Sequence, residues 1–147
     1  MAEAKQSIEI QATPKQCLDI ISDYECYPEF LKEVSSVTVE KKSGAIAEVT
    51  FSLNLIKKFS YTLKMNVKPP TSVTWTFVKG ELMKDNKGNW NLEDLGGGLT
   101  LATYTIDVSL GLLVPGAISK MLIGSNLPSM LKSFKERIEE KHPKKKK

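Results

Sequence analysis

Residues 48–68 read EVTFSLNLIKKFSYTLKMNVK, and across them Val49, Phe51, Leu53, Leu55, Phe59, Tyr61, Leu63, Met65 and Val67 all fall on odd positions. Thr50, Ser52, Asn54, Ser60, Thr62, Lys64 and Asn66 fall on even ones. A period of two held this long describes strands with one buried and one wet face. That pattern belongs to antiparallel strands joined by short turns, because parallel strands need crossover helices that bury both faces. The basic pair Lys57-Lys58 marks the turn inside the stretch. Outward from it the same period runs from Val34 to Leu110, interrupted by KKSG (41–44), KPPT (68–71), KGELMKDNKG (79–88) and DLGGG (94–98), all turn-type sequences. With SIEIQA at the N-terminal side, strands are expected near 6–11, 34–41, 45–55, 58–68, 72–79, 86–93 and 99–110.

Helical signals flank this sheet. TPKQ (13–16) combines a capping threonine, a proline at the first helical position and a glutamine placed to complete a capping box. The apolar spacing of Cys17, Ile20, Ile21 and Tyr24 predicts a helix to about Tyr24. Pro28 disfavours helical geometry at Tyr27, so a turn and a second short helix over Glu29–Glu33 should follow. At the far end, Ile118, Met121, Leu122, Ser125, Met130, Leu131 and Phe134 recur on one side of a helical pattern over 116–140. Lys132, Lys135, Glu136, Arg137 and Glu139 take the other side, and Gly124 and Pro128 divide the helix into two segments with a bend. The order of elements predicts an α+β fold: a seven-stranded curved antiparallel sheet around a long kinked C-terminal helix, with two short helices between strands one and two. Residues 1–140 should form a single domain.

Charge divides the chain differently. It carries 21 lysines and arginines against 17 acids. The five lysines of KHPKKKK (141–147) account for the excess, and without them 16 bases face 17 acids. The body is therefore not a basic protein, and residues 141–147 read as a disordered polybasic tail with no apolar residue to fold with. Lys141, Lys144, Lys145, Lys146 and Lys147 could tether the chain weakly to anionic membrane or RNA, at on the order of 1 kcal/mol per lysine near a membrane surface. MAEAKQSIEI has acids where a secretory signal carries positive charge, which predicts a cytoplasmic protein, peripheral at the inner face of a membrane if the tail engages it. Cys17 and Cys26 have no metal-ligand spacing, and the one histidine, His142, stands beside the tail. No cofactor or metal is called for.

The apolar face then offers two uses. Phe51, Leu53, Phe59, Tyr61, Leu63, Trp75, Phe77, Trp90 and Tyr104 on the strands, Tyr24, Tyr27 and Phe30 at the helix break, and Ile118, Met121, Leu122, Met130, Leu131 and Phe134 on the last helix either fill a core or line a ligand-sized cavity.

Four segments carry a family resemblance: DYECYPEFLKEVSSVTV (23–39), VTWTFVKG (73–80), GNWNLEDLGGGLTLATYTIDVSL (88–110) and VPGAISKMLIGSNLPSMLKSFKERIEE (114–140). Together they resemble the START-like superfamily, also called the polyketide cyclase/dehydrase or SRPBCC superfamily, over about residues 5–140. Within it the set is most similar to coenzyme Q-binding proteins and the ribosome-association toxin group. The resemblance implies a helix-grip fold with a hydrophobic tunnel between sheet and C-terminal helix. In the quinone-binding branch that tunnel holds an isoprenoid quinone or similar lipid. The matching positions are Tyr24, Tyr27, Phe30, Trp75, Trp90, Tyr104, Leu127, Pro128, Met130 and Leu131; Glu25 and Cys26 depart from the more aromatic break of the quinone-binding members.

Three functions follow. A non-catalytic carrier of an apolar small molecule, lipid or quinone, fits the apolar face opposite a kinked helix with Met121, Met130 and Leu131, residues that adapt to irregular shapes. A cyclase- or dehydratase-type enzyme needs a positioned acid or base, for which Tyr61 and Tyr104 are candidates while Glu48 and Asp107 fall on wet positions. An interaction protein on the ribosome or RNA would rely on the tail, since the body offers no net positive charge.

Overall fold

Seven strands hydrogen-bond in one curved sheet whose spatial order is β1-β7-β6-β5-β4-β3-β2, every neighbour antiparallel. They are β1 (Ala2–Ile10), β2 (Val34–Ser43), β3 (Ile46–Leu55), β4 (Lys57–Lys68), β5 (Ser72–Gly80), β6 (Met83–Gly96) and β7 (Leu99–Leu110). The computed structural model describes residues 2–55, 57–111, 114, 116–120 and 126–142. From β3 onward each strand pairs with its predecessor, and β1 closes on the last strand, so β1 and β2 are sequence neighbours at opposite edges. The helices α1 (Pro14–Ile21) and a 3-10 helix (Tyr24–Glu29) make that crossing. On the C-terminal side α2 (Gly116–Lys120) and α3 (Asn126–Lys141) follow.

The period of two is visible as burial. Val49, Phe51, Leu53, Phe59, Leu63 and Met65 are buried in one core with residues of α1 and α3. Three consecutive glycines, Gly96 to Gly98, turn β6 into β7 with φ of 87°, 65° and 80°, a left-handed run that side chains with a Cβ resist. Polar contacts fix α3 against β1: Lys135 Nζ donates to the Glu9 carbonyl and the Gln11 amide donates to Glu139 Oε2, each at 2.8 Å.

The capping box of α1 forms as expected, with Gln16 N donating to Thr13 Oγ1 and Thr13 N to Gln16 Oε1. The break after it differs from expectation. α1 ends at Ile21, short of Tyr24, because Ser22 Oγ donates back to the Leu18 carbonyl at 2.7 Å and closes the last turn. The second helix lies at Tyr24–Glu29 instead of Glu29–Glu33. Pro28, which lacks an N–H, sits inside this tighter helix, and Phe30 and Leu31 both donate to the Tyr27 carbonyl just beyond it. The two helical segments expected over 116–140 are α2 and α3, and Pro128 is the third residue of α3, where a helix N–H has no intrahelical partner to lose. Gly124 lies outside the described residues.

Candidate functional site

Seven aromatic side chains stand around the space between sheet and α3. Tyr61 stacks on Phe51 with centroids 5.6 Å apart, and Phe51 lies 6.0 Å from Tyr27. Tyr27 meets Phe134 edge-on at 5.2 Å, Phe134 meets Trp90 at 5.1 Å, Trp90 meets Tyr104 at 5.0 Å, and Tyr104 lies 5.3 Å from Trp75. These spacings are those of favourable aromatic pairs. The belt borders a cavity of about 100 Å³, with Leu63 and Met65 between its two ends.

The wall is built from four sources. The 3-10 helix supplies Tyr27, whose hydroxyl donates to the Ile21 carbonyl and so ties the break to the end of α1. The chain leaving it supplies Leu31, Glu33 and Val34; the strands supply most of the rest; α3 supplies Met130 and Phe134. Arg137 holds α3 over the 3-10 helix: its Nη2 donates to Glu29 Oε1 at 2.5 Å, and its guanidinium lies 5.3 Å from the Phe30 ring. That contact holds the Glu29 carboxyl below its usual range.

Met83 joins Asn86 on the same wall through a bulge. The pairing of β6 with β7 shifts between Met83 and Asp85, so two residues three apart both face the concave side. Trp75 Nε1 donates to Asn86 Oδ1 at 3.0 Å, and Asn86 Nδ2 contacts Met83 Sδ at 3.6 Å. Burial pushes the phenols of Tyr61 and Tyr104 far above their ordinary range, so both hold their protons at neutral pH. No hydrogen bond to another described residue engages either hydroxyl. Both thiols are pushed up to about 11, Cys17 by burial and Cys26 by its hydrogen bond with Asp23, which leaves neither a ready nucleophile. Among the described residues no cluster of histidine, cysteine or acids could hold a metal ion.

Of the residues singled out from the sequence, Tyr27, Phe51, Leu53, Tyr61, Leu63, Trp75, Trp90, Tyr104, Met130 and Phe134 line the cavity. Tyr24, Phe30, Phe59, Phe77, Ile118 and Leu131 do not; they pack in or against the surrounding core. Met121, Leu122 and Lys144 to Lys147 lie outside the described residues, and Lys141 is the exposed last residue of α3. Sequence reasoning missed Leu31, Glu33, Val34, Met65, Met83, Asn86, Ile106 and Val108. Met65, Ile106 and Val108 were accessible to it, since they follow the alternation of their strands. The bulge hid Met83, while Asn86 is a polar residue on the face of Trp90 and Leu92.

A family profile described as polyketide cyclase / dehydrase and lipid transport matches residues 10–135. The chain belongs to that family. No curated protein matches this family member's sequence significantly. Among solved structures, it is similar to a START superfamily protein from Mycobacterium smegmatis, at 19% identity and a TM-score of 0.81 over 94% of this chain and 97% of that one. A STAR-related lipid transfer protein from Xanthomonas axonopodis follows the same trace at 12% identity and a TM-score of 0.75, over 91% of this chain and 84% of that one. The Zhui aromatase/cyclase of a Streptomyces species does so at 13% identity and 0.71, over 93% and 86%. Likeness at such identity establishes the fold, a START-like helix grip, and the cyclase and the lipid transfer protein share it. No helix among the described residues is long and apolar enough to cross a membrane.

Proposed function

We propose that this polyketide cyclase/dehydrase family member is a non-catalytic carrier of an apolar small molecule, a lipid or isoprenoid quinone, held between sheet and α3. The observation that carries this reading is the aromatic belt around a cavity whose described lining includes a single charged side chain, Glu33. Hydrophobic transfer favours such a ligand by about 25 cal/mol per Å² of apolar area removed from water. Ligand sites commonly enclose about 300–1,000 Å³, so the roughly 100 Å³ present requires the wall to give on binding. Met65, Met83 and Met130 on that wall supply side chains that repack at small cost. Within the family, this reading places the chain with the coenzyme Q-binding branch. It works in the cytoplasm, and residues 141–147 attach it weakly to an anionic membrane.

Native mass spectrometry and lipid extraction of the protein from its own host test the reading. Bound lipid or quinone is expected. Protein that carries none, and whose Nile red binding is absent or unaffected by ubiquinone, would overturn it. Removal of residues 141–147 should abolish salt-sensitive binding to anionic vesicles; transfer of that effect to RNA would favour the ribosome-associated branch. An enzymatic reading draws on the phenols of Tyr61 and Tyr104 inside the cavity, and turnover of a polyketide-like substrate lost in Tyr104→Phe would establish it.

A further inference from the structure

Glu33 is the one ionisable carboxylate on the cavity wall among the described residues. It lies where the chain leaves the 3-10 helix for β2, half-buried, with its main-chain carbonyl fixed by a 2.8 Å hydrogen bond from the Asn54 amide. That bond leaves the side chain out of the sheet's own hydrogen bonding. The ion pairs among the described residues, Lys135 with Glu139 and Arg137 with Glu29, do not involve it. The rest of the described wall is aromatic, aliphatic, thioether or carboxamide, so no cation there offsets its charge. After burial, its charge is the second influence that raises the Tyr61 phenol.

A fixed negative charge beside a low-dielectric space repels a second one more strongly than water would allow. An uncharged polar group meets no such penalty, and the Tyr61 and Tyr104 hydroxyls and the Asn86 carboxamide can hydrogen-bond it. We propose that Glu33 is a charge filter for the cavity, admitting ligands whose polar end is neutral or cationic and turning away amphiphiles that end in a carboxylate. The inference rests on the carrier reading above and narrows its ligand class.

Displacement of Nile red at neutral pH by decanol, decanoate and decylammonium tests it on the full chain. These three share one tail and differ in charge. Glu33→Gln is expected to tighten decanoate about tenfold, to weaken decylammonium by a similar factor and to leave decanol within about twofold. Glu33→Asp, which keeps the charge, should retain the wild-type order. A merely structural role for Glu33 would move all three ligands the same way, and that result overturns the filter, as does unchanged decanoate binding in Glu33→Gln. If decanol fails to displace the dye from wild-type protein, the carrier reading falls and the filter falls with it; the other two failures leave the carrier intact.

Discussion

The indole nitrogen of Trp75 donates a 3.0 Å hydrogen bond to the side-chain oxygen of Asn86, and both residues are buried. The bond lies just beyond the point where β5 and β6 cease to pair. Their matched positions run only from Ser72 opposite Asn91 to Trp75 opposite Gly88, after which β5 stays with β4 and β6 stays with β7. A side-chain bond thus continues the connection where the main-chain ladder has stopped.

Replacing Asn86 by leucine removes the acceptor and leaves the indole N–H without a partner in an apolar setting. Such a group costs about 1–3 kcal/mol. The expected outcome is a lower urea midpoint with an unchanged slope, and a midpoint equal to wild type would mean the bond contributes nothing.

Gly88 admits no side chain. A Cβ there would stand 2.2 Å from the Thr105 carbonyl oxygen and 2.7 Å from Cζ2 of Trp75, so backbone or indole must move. Gly88→Ala should destabilise by about 1–3 kcal/mol, the range of overpacked cores. Gly116→Ala meets nothing within 4 Å and serves as the control with little change in Tm. Equal melting temperatures for the two variants would contradict the packing described.

Alkaline titration has a definite sign. Burial pushes the Tyr24 phenol up to about 12 and those of Tyr27, Tyr61 and Tyr104 above their ordinary range, and these are the four tyrosines of the chain. A group whose folded pKa is raised contributes stability in full below its unfolded pKa, about 10 for tyrosine, and loses it as pH rises toward the folded value. Stability should therefore fall from about pH 10 upward. Tyrosinate absorbance should be nearly absent in folded protein at that pH and appear with unfolding. Early titration of one or more tyrosines in folded protein would show that the belt is wetter than described.

The sheet was legible because its signal is carried by many residues at once: every odd position from Val49 to Val67 except Lys57, which lies at the turn, gives the same answer. The capping box at Thr13 was legible because its chemistry is local. The helix break was less so. Pro28 announces a break, but whether the chain turns before or around it depended on Tyr27 reaching the Ile21 carbonyl, a contact between separate elements. The cavity was legible only in part, since alternation states which face a side chain takes and not whether a neighbour fills the space in front of it. Phe59 and Trp75 carry the same signal, yet Phe59 packs away from the cavity and Trp75 lines it. Asn86 was missed for a third reason: it keeps step with Trp90 and Leu92 on the buried face, but a carboxamide carries no apolar signal.

The aromatic belt has an optical consequence. Both tryptophans of the chain belong to it, as do three of the four tyrosines. Nearly all of the near-ultraviolet chromophores therefore surround one small volume, close enough for excitation to pass from phenol to indole. Whatever enters that volume changes the surroundings of Trp75 and Trp90 directly. The protein carries its own reporter of occupancy, and no label need be attached.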